Sequence, residues 1–161
     1  MSAICDLPTV PLVVSTLSGL LGRQTTVSKA DVTEHSAPHL VVEYHMNPGD
    51  HLGAAFVIDL EFAALLGGAL ALIPAGGVKE MVAENDIGEG CLDAMREVLN
   101  VCACIFVSTA DGSPSRLISI FEPGDAIPDE MTSLMNSAPH RIDYTVEVEG
   151  YGSGVLSMMT R

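Results

Sequence analysis

Basic residues are scarce. Lys and Arg number only 7 among 161 residues, against 21 Asp and Glu, so the formal net charge is −14. Nucleic-acid binding through counterion release needs clustered Lys and Arg. The scattered few in this chain do not supply that cluster, and attraction to anionic lipid headgroups is disfavoured for the same reason. Long apolar runs are missing too. Nothing approaches the ~18 uninterrupted apolar residues of a membrane-spanning helix, and the best stretch, Phe62 to Pro74, reads as a buried helix. The N-terminal MSAICDLPTVPLVVSTLSGLLG has no basic region ahead of its apolar stretch, so no secretory signal is expected. Four cysteines in such a chain are expected as reduced thiols in a cytoplasm. Charged residues make up 17% and hydrophobic residues 48%, a balance that excludes disorder and favours one domain over residues 1–161.

No repeat, low-complexity tract or interdomain linker is evident. Val10, Val13, Val14, Leu17, Leu20 and Leu21 recur at helical spacing and predict a helix over Pro8–Leu21, stopped by Gly22. A short strand is expected near Thr25–Val32. His39–Met46 and Leu52–Ile58 read as a hairpin about the turn Asn47-Pro48-Gly49-Asp50. Asp59 is placed to cap a helix over Leu60–Ile73, and Val78–Ala83 reads as another. Asp86 is expected to cap a long helix, Ile87–Val107. Arg116–Phe121 reads as a strand and Asp129–Met135 as a short helix. In Arg141–Glu149 the residues Ile142, Tyr144, Val146 and Val148 alternate with Asp143, Thr145, Glu147 and Glu149. A last strand follows over Gly154–Met159. This order of elements suits an α/β fold with an antiparallel or mixed sheet and helices packed on it.

The long helix carries a polar stripe. With Asp93 at zero and about 100° per residue, Glu97 falls near 40°, Asn100 near −20° and Cys104 near 20°. Cys91, Met95, Val98, Leu99, Cys102, Ile105 and Phe106 fall on the opposite, apolar face. The stripe is narrow and its neighbours Ala94, Val101 and Ala103 are small or apolar. An acid and an amide one turn apart, rimmed in this way, can approach another protein's surface closely. A solvated helix face is the plain alternative.

The spacing Asp93-x3-Glu97-x2-Asn100-x22-Pro123, in DAMREVLN followed by the Pro of FEPGD, resembles the signature of the CheC/CheX/FliY chemotaxis phosphatases. All four positions are filled at the expected intervals. The preceding segment GAAFVIDLEFAALLGGALALIP resembles the unit that comes before the motif helix in that family. The resemblance implies a CheC-like fold. It implies hydrolysis of the phospho-aspartate of a CheY-like response regulator, with Glu97 and Asn100 catalytic and Asp93 and Pro123 at the docking surface. It further implies that the regulator supplies the Mg²⁺ and that the chain needs no cofactor of its own. The first helix has no Glu-x-x-Asn, a departure that makes the layout resemble CheX, with one site per chain and a homodimer. The alternative on the same scaffold is a non-catalytic assembly module, as in the flagellar switch protein FliM.

Other groupings are weaker. His39, His45 and His51 lie on the predicted hairpin, and no recognised ligand spacing joins them to nearby acids, so hairpin surface residues are expected rather than a metal site. Cys102 and Cys104 point to different sides of a helix. Packing is expected of Cys102. Cys104 is read as a small residue beside the stripe, with an oxidisable thiol as the alternative. Ser108, Thr109 and Ser113 have no histidine in a triad context, and Met158-Met159 reads as strand packing.

Overall fold

A computed structural model describes residues 4–31 and 38–161. Its strands are β1 (Thr25–Lys29), β2 (His39–Met46), β3 (His51–Asp59), β4 (Arg116–Phe121), β5 (His140–Val148) and β6 (Gly152–Thr160). Its helices are α1 (Val10–Leu21), α2 (Leu60–Leu70), α3 (Ala75–Ala83), α4 (Glu89–Cys102) and α5 (Asp129–Ser137). The strands form one six-stranded antiparallel sheet in the order β1-β5-β6-β3-β2-β4.

That order has an internal symmetry. Each half of the chain supplies a long helix and three strands, α1 with β1, β2 and β3, then α4 with β4, β5 and β6. Exchanging β1 with β4, β2 with β5 and β3 with β6 turns the sheet order into its own reverse. A pseudo-twofold axis therefore passes between β3 and β6, and α1 is the counterpart of α4. The sequence hides this repeat because the halves share topology without sharing residues: α1 reads VPLVVSTLSGLL and α4 reads EGCLDAMREVLNVC.

The main core lies between the sheet and α1, α2 and α4. Helix α2 is buried nearly all round, as its LEFAALLGGAL composition requires. Helix α5 covers part of the opposite face, where Met131 and Leu134 pack with Val41, Leu52, Ala55, Val57 and Met159. Asp143 lies on that second face as the β5 alternation requires. It is buried rather than solvated, and Arg141 donates to both its carboxylate oxygens at 2.9 and 3.0 Å.

Several boundaries differ from the sequence reading. Strand β1 ends at Lys29, and residue 32 of the expected strand lies outside the described residues. Helix α2 stops at Leu70, because Leu72 takes a left-handed conformation (φ 58°) and Ile73 N–H returns to the Gly68 carbonyl at 2.9 Å. Helix α3 begins earlier, at Ala75 behind Pro74. Gly88, not Asp86, is the N-cap of α4. Asp86 is spent closing α3: Asn85 is left-handed (φ 53°) and Asp86 N–H bonds the Met81 carbonyl at 3.0 Å. Helix α4 ends at Cys102 and passes through a 3₁₀ turn, Ala103–Ile105, rather than running to Val107. The aromatic cluster accounts for this. Phe106 turns into the core beside Tyr44 and Phe56, with ring centroids 5.4 and 5.3 Å away, and its carbonyl takes the Ser115 N–H at 2.9 Å.

Candidate functional site

Helix α4 is held rigidly from below. Cys91, Met95, Val98, Leu99 and Cys102 are buried on its inner face. At its N-terminal end it meets α2 without an intervening side chain: a Cβ on Gly67 would lie 2.1 Å from the Cys91 carbonyl oxygen. Glycine there sets how closely the two backbones approach. At its C-terminal end, Tyr44 of β2 donates a 2.7 Å hydrogen bond to the Leu99 carbonyl. The 3₁₀ turn explains why that carbonyl is available, since the Ala103 N–H goes to Asn100 and Val101 instead.

The outer face carries the stripe. Asp93, Glu97 and Asn100 are all exposed, as are Arg96 and Cys104. Residues three and four apart on a helix are surface neighbours, so Glu97 sits between Asp93 and Asn100. Arg96, which the stripe reading passed over, joins two parts of this surface. It pairs with Asp93 at 3.0 Å and with Glu122 at 3.6 Å. Among the described residues, Glu97 and Asn100 have no side-chain hydrogen bond or ion pair. Val101, next to Asn100, is 40% exposed.

Pro123 reaches this surface through the loop after β4. Glu122-Pro123-Gly124-Asp125 forms a tight turn with Gly124 at φ 92°, closed by Asp125 N–H to the Glu122 carbonyl at 3.0 Å. The Asp125 side chain accepts the Glu122 N–H at 2.8 Å. Pro then Gly at the two central positions is what a type II turn requires. Beside it opens a cleft of about 240 Å³ lined by Leu40, Leu60, Asn85, Asp86, Ile87, Leu92, Glu122 and Pro123. Asp93, Glu97 and Asn100 thus share one helix face, and Arg96 ties that helix to Glu122, the residue before Pro123. Arg96 was legible in principle, being three residues from Asp93 on one helix. Glu122 was not, because only strand pairing carries β4 to α4.

The titratable groups nearby divide by burial. Burial pushes the Cys102 thiol up to about 12, with nearby Cys104 adding to the effect, and the Cys5 thiol up to about 11. Burial also raises Cys91. Cys104 is exposed, and all four cysteines are free. Burial raises Asp59 to about 6, and neighbouring Glu61 adds to this while the Phe62 N–H that it caps opposes it.

His45 and His51 lie at the far end of the hairpin from this site, whereas His39 directly precedes the cleft residue Leu40. His45 lies between Glu43 at 2.7 Å and Asp50 at 3.2 Å. Six strand residues put His39 about 20 Å from His45. Among the described residues no group of three or more His, Cys, Asp and Glu side chains is placed to hold a metal ion. No helix among them is long and apolar enough to cross a membrane.

No protein-family model matches the chain, and no curated protein matches it in sequence. Solved structures do match. A FliM–SpeE complex from H. pylori superposes with a TM-score of 0.56 at 10% identity, over 92% of this chain and 79% of that one. FliY from Thermotoga maritima superposes with a TM-score of 0.53 at 18% identity, over 91% of this chain and 81% of that one. A CheX–CheY–BeF3–Mg²⁺ complex from Borrelia burgdorferi gives 0.48 at 14% identity, over 91% of each chain. At these identities the likeness is one of fold. The chain has a CheC/CheX/FliY-like α/β fold, with five helices packed on a six-stranded antiparallel sheet.

Proposed function

We propose that this chain is a phosphatase of a phosphorylated CheY-like response regulator. The observation that carries the reading is the Glu97–Asn100 pair. Both side chains stand exposed and unpartnered on the outer face of a helix whose inner face is locked into the core. A polar pair on a helix that cannot yield is suited to entering another protein's site in a fixed geometry.

In this reading the regulator brings the acyl phosphate and its Mg²⁺, and the chain brings position. Phosphoryl transfer asks mainly for alignment and electrostatics. Asn100 orients the attacking water, since a carboxamide donates and accepts without placing a negative charge beside phosphate. The water oxygen bonds to phosphorus as the bond to the aspartyl oxygen breaks. The products are inorganic phosphate, which keeps the water's oxygen and one of its protons, and the free aspartate carboxylate; the second proton is shared between phosphate and solvent. Glu97 docks the helix by pairing with a cation of the regulator. Asp93 is held by Arg96 at the edge of the docking surface, and Pro123 shapes the adjoining loop.

The second reading is a non-catalytic assembly module, favoured by the fold likeness to FliM. One experiment separates them. Response regulators charged with acetyl phosphate are mixed with the chain, and phosphate loss is followed. Acceleration by the wild type, removed by Asn100→Ala and by Glu97→Ala, is the expected result. Regulator binding without faster phosphate loss would favour the assembly module.

A further inference from the structure

The stripe does not account for the cleft beside it. Its floor is apolar, made by Leu40, Leu60, Ile87 and Leu92 from four different segments. Its rim is acidic, with the carboxylates of Asp86 and Glu122 and the amide of Asn85. Pro123 forms one wall. Among the described residues no Lys or Arg lines it. Arg96, which is not among the lining residues, reaches Glu122 at 3.6 Å and is shared with Asp93.

We infer that this cleft receives a lysine or arginine side chain of the partner protein. The reasoning is by elimination among guests. A purely apolar side chain would strip water from two carboxylates and return nothing to them. A carboxylate or phosphate would meet like charge on the rim and the field of a chain carrying −14 overall. A Lys or Arg side chain combines an aliphatic stem with a charged head, so the stem covers the floor while the head stays at the rim. About 240 Å³ accommodates one such side chain.

The Asp93–Arg96–Glu122 chain of charges makes the rim and the stripe one continuous surface. A partner seated on Glu97 and Asn100 would therefore lie over the cleft as well. The inference rests on the phosphatase reading for the identity of that partner. It adds a second cationic contact, distinct from the one Glu97 would make, and gives Pro123 a specific task as the wall of a socket.

The test is titration of the full chain with a beryllofluoride-charged CheY-like response regulator. The double variant Asp86→Asn, Glu122→Gln removes both rim charges while leaving similar shapes. Glu147→Gln with Glu149→Gln makes the same change in net charge on exposed residues of β5 and the turn after it. The expected result is binding weakened about fivefold to tenfold by the cleft pair and by less than about twofold by the control pair. Equal losses would mean that overall charge, not the cleft, is being read, and would overturn the inference. So would wild-type affinity in the cleft pair when Glu97→Ala still abolishes phosphate loss; in that case the phosphatase reading stands alone. If no regulator either binds the wild type or loses phosphate faster in its presence, both fall together.

Discussion

The Tyr44 hydroxyl donates a 2.7 Å hydrogen bond to the backbone carbonyl of Leu99, the residue before Asn100. It ties the sheet to the last turn of α4 at the point where the helix tightens. Tyr44 is fully buried and packs against Phe56 and Phe106. Tyr44→Phe keeps the ring and removes the hydroxyl. The Leu99 carbonyl then loses a buried partner, and stability should fall by about 1–3 kcal/mol. Denaturant unfolding with an unchanged m-value measures that loss. If the hydroxyl also positions Asn100, the rate of regulator dephosphorylation at saturation should fall while binding holds.

The stripe residues should behave in the opposite way. Among the described residues the Glu97 and Asn100 side chains make no hydrogen bond or ion pair, so Glu97→Ala and Asn100→Ala should each change stability by less than about 0.5 kcal/mol. Activity should drop at least about 100-fold, because a misplaced water or partner loses the alignment the reaction needs. Thermal melts and phosphate release on the same samples compare the two effects. A large stability change would show that either side chain has a structural role after all.

Thiol reactivity should divide three to one. Cys5, Cys91 and Cys102 are buried and held protonated by that burial, whereas Cys104 is exposed. The thiolate is the reactive form. A native-state titration with a chromogenic disulfide should consume one thiol rapidly, and the remaining three only in denaturant. Because Cys104 lies one turn beyond Asn100, the modified chain should also lose dephosphorylating activity, and Cys104→Ser should protect it.

Asp59 should give the stability curve an unusual slope. Its folded value, about 6, lies above the ordinary carboxyl value, so the folded state takes up the proton more readily than the unfolded state. This group's contribution to stability therefore rises as pH falls through about 6 and levels off below about 4. Asp59→Asn keeps an acceptor for the Phe62 N–H without the buried charge. The variant should be more stable than wild type at pH 8, on the order of 1–2 kcal/mol after allowance for partial exposure. The difference should close by about pH 4. Paired melting curves across that range measure it, and an Asn variant weaker at pH 8 would show that the charged cap outweighs its desolvation.

Much of the site could be read before the fold was known. Helical spacing on α4 separates Cys91, Met95, Val98, Leu99 and Cys102 from Asp93, Glu97 and Asn100, and the structure divides them in the same way. Period-two alternation placed Tyr144, Val146 and Val148 on the core face of β5. The failures fall where tertiary contacts override local preference. Asp86 is a good cap by composition, but the close of α3 uses its backbone. Phe106 continues the apolar helical face by spacing, but the aromatic cluster takes it out of the helix.

What the sequence by itself determined is therefore periodic: which elements form, which of their faces turn inward, and the Asp93-x3-Glu97-x2-Asn100 stripe. These follow from the 3.6- and 2-residue repeats of the backbone, which act within a few neighbouring residues. Tertiary structure alone decided the rest. It joined Glu122 to Arg96, built the cleft from four segments, set Tyr44 under Leu99, and related the two halves by a twofold that their residues conceal. Each of these depends on strand order and on burial against distant chain, which no local pattern encodes.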